Sequence, residues 1–300
     1  QLAEAYPEAR RVLEQADDVL GFPLSQLCFD GPEEVLKQTQ NTQPALLAVS
    51  FAAYKILENL GYRPAVVAGH SLGEYSALVA AGSLDFADAL RIVRHRGQYM
   101  QEAVPVGTGA MAAILKLPEG QIDRILQEAA QGEVVSVANF NSPDQVVIAG
   151  HAAAVQRATE LAKAAGAKRA ILLAVSAPFH CSLMRPAQER LCGELNAAGF
   201  KGLSIPLIAN WNAQKISTAA EARHGLFEQI PNPVLWTDSI RELARRGVQR
   251  FVEAGPGSVL LGLCRNIDPS LKGVKFGEPG DLDRVKELLN GPGDIDQVAK

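Results

Sequence analysis

Paired cysteines are what this 300-residue chain most plainly lacks. Cys28, Cys181, Cys192 and Cys264 are scattered, with no C-x-x-C spacing. A core of this size needs no disulfide staples, so four reduced thiols are expected. The histidines at 70, 95, 151, 180 and 224 do not join them at metal-ligand spacing, and adjacent His180 and Cys181 diverge, so no metal is expected. Lys and Arg never run beyond two in a row and the formal net charge is −4, which excludes a clustered basic groove for nucleic acid. The longest apolar run, around Ala45–Ala53, is broken by Ser50 and falls far short of the ~20 residues that span a bilayer. Residues 1–10 carry Glu4, Glu8 and Arg10 and no apolar stretch, so no signal peptide is visible. What is present, 47% apolar and 21% charged residues, suits a globular protein, expected in the cytoplasm without a membrane or nucleic-acid partner.

The first hundred residues read as mostly helical. Apolar spacing predicts helices over Glu4–Leu20, from Thr42 to Leu60 with Pro44 in an early position, over Gly73–Ala81 and from Asp85 to Ala103. Ala65–Ala68, bounded by Pro64 and Gly69, is too short for a helix and reads as a buried strand. Between Met111 and Val175 the pattern changes to strand, helix, strand, strand, helix, strand, with Asn141-Ser142-Pro143-Asp144 as the turn of a hairpin. That order is the ferredoxin-like split pattern. Strands at Leu203–Ala209, Gln249–Glu253 and Gly273–Gly277 alternate with helices at Trp236–Arg246, Ser258–Asn266 and Leu282–Leu289. The fold class expected is α/β, with an α/β-hydrolase-like body and parallel sheet interrupted by a small ferredoxin-like subdomain. The corresponding segments are 1–105, 106–177 and 178–300.

Gly69-His70-Ser71-Leu72-Gly73 fits G-x-S-x-G between a strand and a helix, the context of a nucleophile elbow. Such a turn needs small residues on both sides of the serine, here Gly69 and Gly73. It exposes the Ser71 hydroxyl and leaves the Leu72 amide at a helix start to stabilise an oxyanion. A serine needs a base within hydrogen-bond reach. His70 would point away from its neighbour, His95 and His224 lie in helical, charge-rich surroundings, and His151 is placed to cap a helix. His180 stands apart, in a Pro-containing loop straight after a strand. No carboxylate lies in a loop after a body strand between Ser71 and His180, so a backbone or amide carbonyl is expected to orient the imidazole in a dyad. On the helix from Asp85, Arg94 and Arg96 flank the apolar face on opposite sides. Either planar fork could grip a substrate carboxylate, and periodicity does not choose between them. Gly255-Pro256-Gly257-Ser258 before a helix reads as a structural turn, with an anion site as the alternative.

Gly69–Tyr75, Arg96–Gln101, Asn139–Pro143, Pro178–His180, Asn232–Trp236 and Glu253–Gly257 together resemble the motifs, in order, of the malonyl-CoA:acyl-carrier-protein transacylase family. The resemblance implies acyl transfer from malonyl-CoA to the phosphopantetheine thiol of acyl carrier protein, by a cytoplasmic monomer without a cofactor. It implies Ser71 as nucleophile, His180 as base, Arg96 on the malonyl carboxylate and Leu72 as an oxyanion amide. The main-chain carbonyl of Gln229 would orient the histidine. Met100 and Asn139 would lie near the acyl pocket, and Phe179 matches the malonyl-selective form of the family. Lys116, Lys163, Lys168, Arg169, Lys201 and Lys215 are candidates for a basic rim facing the acidic carrier. The family's first strand and its Pro-Gly-Gln-Gly-Ser-Gln loop have no counterpart from Gln1 onward. A polypeptide beginning there is expected to transfer poorly, since one oxyanion donor is worth roughly 10²–10³ in rate. A serine esterase or thioesterase and a non-catalytic carrier-protein scaffold are the competing readings.

Overall fold

The computed structural model describes residues 1–175 and 177–290; Ser176 and the end of the expected third segment, 291–300, lie outside the described residues. The helices follow from apolar spacing, and their ends from local chemistry. The first expected helix is two, Leu2–Ala5 and Pro7–Leu20. Pro7 disfavours helical backbone at Tyr6, whose φ is −130°. Gly21 then ends the second with left-handed backbone. Helix Thr39–Asn59 starts three residues earlier than its proline suggested, with Pro44 inside it. It packs against Pro7–Leu20 and Phe86–Glu102 to build the largest apolar core. Asp85 caps the latter helix by accepting from the Ala87 amide at 2.8 Å. Among the described residues no helix is long and apolar enough to cross a membrane.

After these helices four strands form an antiparallel sheet: β1 (Gly109–Leu115), β2 (Val135–Ser142), β3 (Gln145–His151) and β4 (Arg169–Leu172), in the order β2-β3-β1-β4. Helices Ile122–Ala130 and Ala152–Ala164 connect β1 to β2 and β3 to β4. Side chains alternate between the faces. Ala112, Ile114 and Ile148 pack under the two helices, while Met111, Ala113, Val147 and Ala149 pack against Cys181 and Phe179 of the histidine loop. The sheet is fastened to the rest of the chain through β2. Val234 donates to Ala138 and accepts from Phe140, both at 2.9 Å, and the Thr237 hydroxyl donates to the Phe140 carbonyl at 3.0 Å.

The body sheet is more fragmentary than the pattern predicts. The expected strand at Ala65–Ala68 is a single parallel bridge between Val67 and Leu207. Pro64 and Pro206 remove donors beside the bridge, and the chain turns sharply at Gly69 directly after it, so pairing does not extend. Leu203–Ala209 shortens to β5 (Leu207–Ile208), which pairs antiparallel with β6 (Lys215–Ile216), a strand the pattern did not give. Among the described residues, continuous parallel pairing is confined to β7 (Arg250–Ala254) with β8 (Lys272–Phe276). At Gly255 a Cβ would meet the Ser50 Oγ at 2.4 Å. The following helix, Val259–Ile267, has its amides at Leu260 and Leu261 bonded by the Glu253 carboxylate at 3.2 and 2.9 Å, so this turn is already occupied by an internal anion. The architecture is mixed α/β.

Candidate active site

Ser71 sits at the head of helix Leu72–Ala80 with φ of 52°, a conformation costly for a residue with a side chain. The turn exists because Gly69 carries no Cβ: one placed there would lie 2.0 Å from the Gly73 carbonyl. A Cβ at Gly73 meets nothing within 4 Å, so only the first glycine of the motif answers a steric demand. Asn210 holds the turn from the far side. Its Oδ1 accepts from the Ser71 amide and its Nδ2 donates to the Gly69 carbonyl, each at 2.7 Å. The Gly73 and Glu74 amides are bonded to the His70 and Ser71 carbonyls. The helix carries no side-chain cap, which leaves the Leu72 amide at the positive end of the helix dipole.

His180 reaches the serine from its loop, itself at a positive φ of 57°. Its Nδ1–H donates to the Gln229 main-chain carbonyl at 2.9 Å, because a carbonyl can only accept. That fixes a bare Nε2, which accepts from the Ser71 hydroxyl at 2.7 Å. Burial, and then the Arg96 charge, pull the imidazole pKa down from 6.5 to about 3, so the ring is neutral and its Nε2 carries no proton. The orienting group is thus a carbonyl rather than a carboxylate.

Arg96, and not Arg94, turns inward. Arg94 lies over the Phe22 ring and donates to Asn41 at 2.9 Å. Arg96 is 2% exposed, and Gln43 Oε1, Gln229 Oε1 and Ser71 Oγ accept from it at 2.7, 2.9 and 3.0 Å. Among the described residues its Nε–H meets no acceptor in hydrogen-bond geometry. Gly97 permits this arrangement, since a Cβ there would lie 2.6 Å from the Gln40 backbone; the close helix contact brings Gln43 to the guanidinium. Only neutral acceptors touch the charge. Burial lowers its pKa, while Tyr75 and Glu74 nearby raise it.

The structure therefore brings Ser71, His180, Arg96 and Gln229 into one hydrogen-bonded group, with the Leu72 amide beside it. Met100, Asn139 and Phe179 are not in that group. Met100 is buried in the core one helical turn beyond Arg96, Asn139 lies at a bulge of β2 bridged to Val234, and Phe179 packs where the body and sheet cores meet. His70 turns away from its neighbour and donates to Asn141 at 2.8 Å, tying the elbow to the hairpin. His95 pairs with Glu194, and His224 meets the Trp211 edge. His151 holds the N-cap position without capping; its ring instead accepts from the Val134 amide, a backbone partner that its place before a helix did not reveal. All four cysteines are free, and among the described residues no three His, Cys, Asp or Glu side chains are grouped to hold a metal ion.

Sequence reasoning missed Gln43, Glu74 and Asn210. Gln43 stands four residues before fully buried Leu47, which places it on the buried helix face. Asn210 follows a body strand at its carboxyl end, where α/β folds place ligand-binding groups.

The acyl transferase domain family matches residues 1–272. The malonyl CoA-acyl carrier protein transacylase of Escherichia coli (strain K12) is 48% identical, over 96% of this chain and 93% of its own length. An acyl carrier protein S-malonyltransferase from Vibrio cholerae, solved as a crystal structure, superposes with a TM-score of 0.93 at 48% identity, covering 95% of this chain and 94% of that one. A malonyl-transacylase solved in complex with its type II PKS acyl-carrier protein gives a TM-score of 0.93 at 46% identity, covering 96% and 93%.

Proposed function

From a chain that belongs to the malonyl-CoA:acyl-carrier-protein transacylase family, we propose a ping-pong acyl transfer in which Ser71, His180 and Arg96 carry the chemistry. Acyltransferase activity and the transfer of malonyl from coenzyme A to acyl carrier protein follow from that membership. The esterase and scaffold readings find no support among the relatives. The residue roles rest on one observation above the rest: the serine hydroxyl lies between a neutral imidazole and a buried guanidinium that has no anionic partner in contact.

In the first half-reaction His180 Nε2 takes the Ser71 proton as Oγ attacks the thioester carbonyl of malonyl-CoA. The oxyanion forms against the Leu72 amide. The tetrahedral adduct collapses, the carbon–sulfur bond breaks, and the coenzyme A thiolate leaves with the proton from His180. The malonyl ester stays on Ser71 with its distal carboxylate on Arg96. In the second half the phosphopantetheine thiol of the carrier gives its proton to His180 and attacks the ester, and Ser71 recovers the proton as the carrier thioester forms. General acid–base catalysis of this kind contributes about 10²–10⁴ in rate. Gln229 holds the imidazole tautomer, and Arg96 supplies selectivity because an acetyl group leaves the guanidinium unpaired.

The finer organisation belongs to the same proposal. We read 106–177 as a ferredoxin-like insert, on the antiparallel order β2-β3-β1-β4, within an α/β-hydrolase-like body formed by 1–105 and 178–300. Met100, Asn139 and Phe179 would border the acyl pocket. The protein would act as a cytoplasmic monomer, with malonyl-CoA and the carrier as partners and no cofactor. Product accounting tests the reaction: with malonyl-CoA and holo acyl carrier protein, malonyl-carrier should account for the acyl group released. Free malonate as the main product would overturn it in favour of a hydrolase.

A further inference from the structure

Ser71-Leu72-Gly73-Glu74 has the spacing of a capping box, in which serine and glutamate side chains close a helix start on each other's backbone. Neither half forms. The Ser71 hydroxyl is engaged with His180 and Arg96, and the Glu74 carboxyl turns away from its own helix. Its Oε2 accepts from Gln229 Nε2 at 2.7 Å and from the Asn210 amide at 3.2 Å. Among the described residues its Oε1 has no hydrogen-bond partner, and the residue as a whole is 0% exposed. A carboxyl group in this position costs stability whether charged or neutral, yet the fold holds it against the one glutamine that touches both His180 and Arg96.

The consequence lies in the direction of the Gln229 amide. Its Nε2 is held by Glu74 Oε2 and by the Ser71 carbonyl, the latter at 3.0 Å. With the NH2 so engaged, Oε1 faces Arg96 Nη2 at 2.9 Å. A reversed amide would set NH2 against guanidinium and oxygen against carboxyl oxygen, and Arg96 would lose one of its three acceptors.

We propose that Glu74 is a positioning residue for acyl selectivity, acting through the side chain of Gln229 to hold the Arg96 guanidinium over Ser71. The inference rests on the reading of Arg96 as the carboxylate clamp. It is tested on the full chain by the rates of Ser71 acylation from malonyl-CoA and from acetyl-CoA, normalised to active sites. Glu74→Ala should lower kcat/KM for malonyl about tenfold more than for acetyl, mainly through KM, as for one hydrogen bond to a charged group. Glu74→Gln, whose amide oxygen can accept from Gln229, should restore the malonyl-to-acetyl ratio. Gln229→Leu keeps the main-chain carbonyl under His180 and removes only the amide. It should shift the ratio as Glu74→Ala does, and combining the two should shift it no further. If Glu74→Ala does not fold, the other two variants carry the test. Proportional loss for both acyl groups, or independent additive shifts in the double variant, would overturn the proposal while leaving the clamp intact. A wild-type chain without malonyl preference would overturn the clamp itself.

Discussion

A buried guanidinium surrounded by neutral oxygens is the residue-scale fact from which the selectivity argument proceeds. Arg96→Ala should cut malonyl transfer about a hundredfold or more, the cost of truncating one partner of a buried charge pair. Acetyl transfer should fall less or rise; equal loss of both in steady-state assays would remove the clamp. His180 makes a separate demand. With its pKa pulled down to about 3 by burial and by Arg96, kcat/KM should stay level well below pH 6.5, where an ordinary histidine would lose its base form. A fall centred on 6.5 would contradict the environment described for the ring. Ser71 and His180 were legible because each stands in a context only a few residue types satisfy: a glycine-flanked turn and a proline loop. Arg96 was not separable from Arg94, since both flank the same apolar face and only the packing of Gly97 on Gln40 decides which is enclosed. Glu74 was hidden more thoroughly, because its spacing from Ser71 imitates a helix cap that the fold does not use.

At the scale of elements, glycines set the distances that the site depends on. Gly69→Ala should destabilise the protein by about 3 kcal/mol or more, because backbone rather than a flexible side chain occupies the Cβ position. Urea unfolding midpoints measure this, and a loss below ~1 kcal/mol would show that the elbow can relax. Gly97→Ala should act differently: by pushing helix Thr39–Asn59 away it withdraws Gln43 from Arg96, raising KM for malonyl-CoA as well as lowering stability. Most helices were readable from apolar period and end signals such as Asp85 and Gly21. The gaps lie where those signals compete or are absent. Arg185–Ala197 and Ala219–Gln229 were not delineated, and Leu24–Asp30 and Glu33–Leu36 are too short to show a period. The body strands expected at Gln249–Glu253 and Gly273–Gly277 lie within one residue of those found, whereas Ala65–Ala68 and Leu203–Ala209 were drawn too long and Lys215–Ile216 was not given, because pairing length depends on neighbours distant in sequence.

For the whole molecule, the buried carboxyl of Glu74 and the buried imidazoles of His180 and His70 make stability depend on pH in opposite senses. Burial raises the Glu74 carboxyl from 4.5 to about 7, so its contribution is complete below pH 4.5 and lost as pH rises through 7. His180, lowered from 6.5 to about 3, contributes above pH 6.5 and loses that contribution as pH falls toward 3. His70, lowered from 6.5 by burial, acts in the same sense as His180, so between pH 4.5 and 6.5 the Glu74 slope opposes both and flattens the rise of the urea midpoint with pH. Glu74→Gln removes the opposing slope, so the climb of stability with pH across that window should steepen by on the order of 1.4 kcal/mol per unit. An unchanged profile would mean that Glu74 is ionised at no cost. The antiparallel sheet shares this interior, since Phe179 packs on both cores and His70 joins the Ser71 turn to Asn141. These features converge on the Ser71 hydroxyl. Mass spectrometry of the chain after mixing with malonyl-CoA, followed by addition of holo acyl carrier protein, tests that directly. The account predicts a malonyl adduct on the peptide carrying Ser71, absent in Ser71→Ala and discharged onto the carrier; no adduct, or one on another residue, would contradict it.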